Sequence, residues 1–348
     1  MTSPLVSIIV PCYNAEEYIE ACLQSVQSQD YEHWECIVIN DGSKDGTITL
    51  INEFGAKDQR FHVFSQENRG LSATRNRGME VANGEFIFFL DQDDILDKTA
   101  IRTLVSAYDK NDIVVGRTAT TVIVDGQINK VSHLLHPKEG NITFENNQFE
   151  VLRTAMESGL KPVAQNRLYR KDFIEANKLL FKDGLLHEDE LWFFETMLVA
   201  RRVKFIDAET YYYRIDNQAS MTKNLSDRNL YAYIVIMQEI LDKYSTIEKY
   251  RTIALWYAVY IKKIFLDFAI REKSKLSDVA LADMEAALRD YYQPLGNDQL
   301  LSRNNDLYYK TINKLSLQKF DIIEKYFFRN KINSLRKLML VIKINFML

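Results

Sequence analysis

Cysteine is scarce: the chain of 348 residues has 3. Cys12, Cys22 and Cys36 form no close pair suited to zinc, and a reducing compartment fits them. Charge of one sign is lacking too. The 44 basic and 48 acidic side chains leave a net charge of -4, which argues against a surface devoted to nucleic acid. No long apolar run opens the chain. Met1 to Val10 has no basic segment before it, and Pro11-Cys12-Tyr13-Asn14 interrupts the run too early for a signal peptide or membrane span. The expected location is therefore the cytoplasm. Glycine thins out along the chain: of 12 glycines only Gly296 lies beyond Gly184. No Gly-x-Gly-x-x-Gly follows the first apolar run, which disfavours a dehydrogenase. Internal repeats and low-complexity tracts are absent.

What is present is apolar: 47% hydrophobic and 12% aromatic residues, enough for a sizeable core in two domains or one large one. Short apolar runs, Leu5 to Val10, Trp34 to Asn40, Phe61 to Ser65, Glu85 to Leu90 and Asp112 to Val115, alternate with helically spaced segments. That alternation predicts an α/β fold with a mostly parallel sheet covered by helices on both faces. Ligands then collect at the carboxyl ends of the strands. After Gly116, Thr118 to Val124 and Ile128 to Leu134 predict a hairpin turning at Asp125-Gly126. Further strands are expected in Pro162 to Arg170, Val203 to Asp207 and Tyr211 to Arg214, with a helix from Leu185 to Ala200. The composition shift places an α/β domain in 1-225 and an all-helical region in 226-348.

Three polar loops follow apolar runs on one expected sheet edge: Pro11 to Asn14, Asn40 to Thr47, and Asp91-Gln92-Asp93-Asp94. Asp41 can accept the imide N-H of a uracil ring and Tyr13 offers a flat face, although Asp41-Gly42-Ser43 also suits a turn and helix cap. Asp91, Asp93 and Asp94 follow Phe86-Ile87-Phe88-Phe89-Leu90, which cannot solvate them. Crowded carboxylates raise one another's pKa unless a cation joins them. Mg2+ or Mn2+, held by one or two carboxylates and diphosphate oxygens, satisfies that need. Asp97 suits a helix cap, a task that Asp94 can share. Between the third and fourth runs, Gln66 to Gly78 carries Arg69, Arg75 and Arg77. Arg75 and Asn76 fall on a helix start, where side chains reach a base or phosphate and Gly78 permits close approach.

The order and spacing of "VSIIVPCYN", "INDGSKDGT" and "NRGLSATRNRGMEVANGEFIFFLDQDD" resemble the family 2 glycosyltransferases with the GT-A fold, over roughly residues 5 to 97. The resemblance implies that Pro11, Tyr13, Asp41, Asn68 and Arg75 hold the uridine of a UDP-sugar, with Asn14 and Gln92 in the same nucleotide-sugar loops. It assigns Asp91 to the ribose or sugar and Asp93 to the metal. Where Asn40 stands the family often has aspartate, which removes one ribose contact. The family's catalytic Glu-Asp pair before an aromatic helix resembles Glu188-Asp189, with Asp189 as base and Glu188 orienting the acceptor or metal shell. These acids also suit a helix N-terminus, whose dipole would lower the Asp189 pKa. A base therefore requires an acidic or apolar neighbourhood to offset that dipole. Tyr211 to Thr222 resembles the family's loop over the diphosphate, with Arg214 and Ser220 as phosphate partners.

The last residues, Lys325 to Leu348, carry six lysines or arginines and no acid. Phe328, Ile332, Leu335, Met339, Ile342 and Phe346 recur on one helical face. Such a helix lies on an anionic membrane surface, or docks on neighbouring helices or a second subunit in a homodimer. The resemblance thus implies an inverting, Mn2+- or Mg2+-dependent enzyme that moves a hexose or N-acetylhexosamine from a UDP-sugar. Its acceptor would be a glycan or lipid-linked oligosaccharide of a bacterial surface polysaccharide. The competing readings are a non-catalytic sugar-binding or scaffold descendant, and a nucleotidyltransferase that releases diphosphate from a nucleoside triphosphate.

Overall fold

A computed structural model describes residues 3-124, 127-134, 140-158, 160-217 and 226-291, together with 295, 300-301, 309-310 and 312-314. The strands are β1 Val6–Cys12, β2 Trp34–Asn40, β3 Phe61–Ser65, β4 Phe86–Phe89, β5 Ile95–Leu96, β6 Ile113–Val124, β7 Gln127–His133, β8 Ile142–Glu145, β9 Arg167–Arg170 and β10 Arg202–Arg214. The helices are α1 Ile19–Gln27, α2 Thr47–Lys57, α3 Leu71–Val81, α4 Ala100–Ser106, α5 Glu150–Ser158, α6 Lys171–Ala176, α7 Glu188–Val199, α8 Asp227–Tyr244, α9 Glu248–Arg271 and α10 Asp278–Asp290. The chain divides into two compact units, Met1–Ala219 and Ser220–Leu348.

In the first unit the strands form one sheet in the order β3-β2-β1-β4-β9-β6-β10-β5, with β7 paired to β6 and β8 to β10. Strands β3, β2, β1 and β4 are parallel. The sheet is more mixed than the sequence pattern predicts, because β9 runs antiparallel to both β4 and β6. Strands β6 and β10 are parallel to each other, whereas β5, β7 and β8 pair antiparallel. The α/β class holds. The parallel half comes from the apolar runs separated by helices, while the second half returns through shorter connections that reverse the chain.

Two boundary expectations are corrected. Gly116 does not end a strand: β6 runs through it from Ile113 to Val124, because a side chain there would collide with Thr210 Oγ1, 1.8 Å from an added Cβ. The two strands expected at 203-207 and 211-214 are one, β10, whose register with β6 shifts between Phe205 and Tyr211. A bulge of this kind hides the strand's alternation. The turn expected at Asp125-Gly126 lies outside the described residues.

Alternation of side chains across β1 sets the two layers. Val6, Ile8 and Val10 pack with Ile19, Cys22, Leu23 and Val26 of α1 in a core that also takes Phe88, Leu168 and Tyr211. Ile9 faces the opposite layer, where Gly78 of α3 lies so close that an added Cβ would stand 2.4 Å from Ile9 Cγ2. Gly78 thus serves helix-on-strand packing, not the ligand approach expected from sequence. That opposite layer also holds α7. Trp192 stacks on Phe181 at 4.1 Å and meets Phe89 edge-on at 6.0 Å, and its indole N-H donates to Tyr169 Oη at 3.0 Å. Trp192, Phe193 and Phe194 are fully buried. At about 1.5-3 kcal/mol for each such side chain, their burial fixes the helix that carries Asp189.

The described part of the second unit is helical. Ser226 and Asn229 form a capping box at the start of α8, and the Ser277 hydroxyl accepts the Ala280 N-H at the start of α10. No helix among the described residues is long and apolar enough to cross a membrane.

Candidate active site

The loops after β1, β2 and β4 meet at the carboxyl edge of the parallel half and are joined by side-chain to backbone hydrogen bonds. Tyr13 N-H donates to Gln92 Oε1 at 2.7 Å, and Gln92 Nε2 returns a bond to Tyr13 O at 3.2 Å. Asn14, at φ 48, donates its N-H to Ser43 Oγ and accepts Lys44 N-H at 2.8 Å. Pro11 stands in β1, paired with Ile39. Gln92 and Asn14 therefore act as struts between loops, and Tyr13 is left 44% exposed at the rim.

Asp41 is buried, and its carboxylate holds the approach to α3. Oδ1 accepts from Gln66 Nε2 at 2.7 Å and Arg69 N at 2.8 Å, and Oδ2 from Gly70 N at 2.8 Å. One in-plane lone pair of Oδ2 remains for a further donor. Asn68 Nδ2 donates to Asp41 O at 3.0 Å, closing the same turn. Gly42 is required here at φ +76, where an added Cβ would lie 2.9 Å from Asn68 N.

Arg75 stands in other surroundings than the resemblance implies. Its side chain is only 2% exposed, with one amino group 2.5 Å from Glu188 Oε1 and the other 2.7 Å from Asp91 Oδ1. Phe181 covers the guanidinium at 5.2 Å. Arg75 thus bridges the acidic loop after β4 to the first turn of α7. Asn76 is also drawn away from any ligand, exchanging bonds with Phe181 O and Phe181 N at 2.8 and 2.9 Å.

The three aspartates separate by surroundings. Asp91 is partly open, its side chain 24% exposed. Asp93 accepts Asn217 Nδ2 at 2.6 Å, and burial first, then the charge of Asp91, hold its carboxyl above the ordinary value. Asp94 is fully buried: its Oδ2 accepts Tyr211 Oη at 2.7 Å and its Oδ1 accepts Arg214 N at 2.8 Å. Burial, then Asp93 and Asp91, push that carboxyl well up. Asp94 is a strut between the loop and β10, and Tyr211 extends it by accepting Asp91 N-H at 3.2 Å. Asp97 caps the next turn through Thr99 N-H at 2.9 Å and also accepts Tyr212 Oη at 2.9 Å.

Asp91 and Asp93 fit Mn2+ or Mg2+ by their chemistry. They are hard oxygen donors whose raised Asp93 pKa a cation would reverse. No group of three or more metal-type side chains exists among the described residues.

Asp189 lies on the first turn of α7, entered through His187 in the left-handed conformation at φ 57. Burial first, then Glu188, push its carboxyl up to about 7, while Arg75 pulls the other way and Asp91 adds to the rise. The rise thus comes from burial and neighbouring acids, against the pull of Arg75. Arg214 pairs with Asp216 at 2.9 Å and lies 4.9 Å over Tyr18. Ser220 lies outside the described residues. Tyr211 and Asn217 were not singled out by sequence reasoning, although both sit in the Tyr-rich segment that resembles the diphosphate loop.

Three loops at the carboxyl edge of the parallel strands, an acidic motif after β4 and a raised carboxylate on the first turn of α7 thus form one candidate site of an α/β fold. The sequence matches the model of Glycosyl transferase family 2 over residues 7–176. It is 35% identical over 224 residues to EpsH of Bacillus subtilis, covering 62% of each chain. Over 92 residues it is 45% identical to TuaG of the same organism, named for teichuronic acid biosynthesis, covering 26% of this chain and 36% of that one. The fold superposes on residues 1-349 of S. aureus TarS in complex with UDP-GlcNAc, with TM-score 0.70, 22% identity, and 93% and 91% of the two chains covered. The chain belongs to glycosyl transferase family 2 and has its α/β fold. It spans less than two thirds of the length of the first curated relatives it matches, 62%, 39% and 63%.

Proposed function

We propose that the chain is an inverting, metal-dependent glycosyltransferase that moves a hexose or N-acetylhexosamine from a UDP-sugar to a glycan hydroxyl of a bacterial surface polysaccharide. The observation that carries this reading is the chain Asp91–Arg75–Glu188 at 2.7 and 2.5 Å, which sets Asp189, with its carboxyl at about 7, beside the acidic loop. A carboxylate poised near neutrality takes a hydroxyl proton efficiently.

The proposed roles combine the family resemblance with these surroundings. The exposed Tyr13 ring stacks on the base, and the free lone pair of Asp41 accepts its imide N-H. Asp91 contacts the ribose or sugar, and Arg75 keeps it aligned with α7. Asp93 would hold the metal, which when bound would offset charge on the leaving diphosphate. Asp189 accepts the proton of the attacking hydroxyl as the bond forms on the face opposite the diphosphate, so no covalent intermediate is needed. Arg214 and Ser220 are assigned to the diphosphate. UDP-GlcNAc in the TarS complex supports a UDP-sugar donor, and the teichuronic acid name of TuaG supports a surface polysaccharide.

The test is calorimetric titration of UDP with and without Mn2+. Asp93→Ala is expected to abolish the affinity gained from Mn2+, and an undiminished gain would remove Asp93 as a ligand.

A further inference from the structure

Arg214, at the end of β10, is fixed from three sides. Its backbone N-H donates to the buried Asp94 Oδ1 at 2.8 Å and its Nε to Asp216 Oδ1 at 2.9 Å, while the face of its guanidinium lies 4.9 Å over the Tyr18 ring. We propose that Tyr18 is a positioning residue for the donor's diphosphate, its ring aiming the Arg214 amino groups at the phosphate oxygens. The inference rests on the glycosyltransferase reading and adds to it the side chain that prepares the phosphate contact.

Tyr18 is itself held in place. It is the N-cap residue of α1, and its N-H donates to Ala15 O at 2.9 Å in the turn that leads from β1 into the helix. Ala15 is buried, and its own N-H donates to Thr47 Oγ1 at 2.7 Å. About one helical turn beyond Tyr18, on the same face, the Cys22 thiol donates to Asp91 O at 3.5 Å. That face of α1 therefore abuts the acidic loop. The exit of β10 is tied to the same loop, because Asn217 Nδ2 donates to Asp93 Oδ2 at 2.6 Å beside the Arg214 bond to Asp94. Asp216 is anchored in turn, its Oδ2 accepting the Ile123 N-H of β6 at 3.2 Å. Charge marks the same neighbourhood: burial first, then Asp91, raise the Asp93 carboxyl, and Asn217 and Arg214 pull it back.

The guanidinium keeps one free edge. The Arg214 side chain is 14% exposed, and its two amino groups make no hydrogen bond among the described residues. A planar fork whose Nε and one face are occupied turns its amino edge outward, and that edge matches two oxygens of a phosphate. The Tyr18 ring and the Asp216 carboxylate hold the fork before the donor arrives, so less side-chain freedom is lost on binding. The ring is the part of this clamp that belongs to α1. It joins the loop after β1, which carries Tyr13, to the end of β10, which carries the phosphate contact.

Calorimetric titration of UDP and saturation-transfer NMR titration of uridine, both with Mg2+ present, separate the diphosphate contact from the rest of the site. Tyr18→Leu removes the ring face and is expected to weaken UDP about threefold or more, with uridine affinity unchanged. Tyr18→Phe keeps the face and loses only the hydroxyl, so it should restore UDP affinity to within about twofold of wild type. Arg214→Ala should itself weaken UDP, and adding Tyr18→Leu to it should cause no further loss, because the two side chains act through one contact. Four results would each overturn the proposal: unchanged UDP affinity in Tyr18→Leu, a parallel loss of UDP and uridine, a loss in Tyr18→Phe as large as in Tyr18→Leu, or an undiminished Tyr18→Leu effect in the Arg214→Ala background. Any of these with UDP still bound by wild type removes the positioning role alone. A wild-type chain that binds no UDP would remove the glycosyltransferase reading, and the positioning role with it.

Discussion

Replacing Arg75 with methionine gives the sharpest test of the bridge between the acidic loop and α7. Arg75 is 2% exposed and its two carboxylate partners, Asp91 and Glu188, are 24% and 7% exposed. Methionine preserves much of the volume against Phe181 but leaves those carboxylates, and Asp189 behind them, without a cation. Breaking a buried pair by removing one member costs roughly 3-5 kcal/mol. For a unit of this size the melting temperature should fall by about 2-4 °C per kcal/mol. The loss must depend on pH in a defined direction. Arg75 lowers the pKa of Asp189, so without it that carboxyl rises further above its unfolded value and the penalty of its charge is full above the folded pKa. It shrinks as pH falls and Asp189 takes up a proton. Differential scanning calorimetry of wild type and Arg75→Met at pH 5 and pH 8 is the assay, with the larger deficit expected at pH 8. A deficit of equal size at both values would show that Arg75 acts by packing alone, and would refute the electrostatic account.

Asp189 makes a related prediction for the fold. Its carboxyl is raised from 3.8 to about 7. The folded chain therefore keeps a proton that the unfolded chain loses, and stability from this group declines as pH rises from about 4 to 7. Metal-free Asp189→Asn should melt higher than wild type at pH 8 and equally at pH 4, and a lower melting point at pH 8 would contradict the raised value. For the basic segment, deletion of residues 325 to 348, which lie outside the described residues, is expected to reduce sedimentation with anionic liposomes. Unchanged sedimentation would leave helix or subunit docking as its role.

Legibility from sequence followed the range of the interactions. The runs that became β2 and β3 were readable to the residue: β2 is buried along its whole length, and both runs are bounded by polar turns, although β3 at the sheet edge is partly exposed. Strand β6 was split at Gly116, since the Thr210 contact that makes glycine necessary comes from 94 positions later in the chain. Strand β10 was split because its bulge breaks the two-residue period. The loops carrying Asp41 and Asp91 were visible as motifs, but what their side chains hold was not. The Asp41 carboxylate meets the Arg69 and Gly70 amides only once α3 has docked. Arg75 reads as an exposed helical arginine until Glu188, 113 residues on, is folded against it.

The central claim is that Asp189 removes the acceptor proton in transfer from a UDP-sugar. Its most direct test measures Asp189→Asn beside wild type, with Mn2+ and a panel of UDP-glucose, UDP-galactose and their N-acetyl forms, recording donor affinity by calorimetry and transfer to glycan acceptors as UDP release. The account predicts near-unchanged donor affinity and transfer reduced by at least about 10²-fold, the lower end for general-base loss. Transfer by Asp189→Asn at the wild-type rate would contradict it.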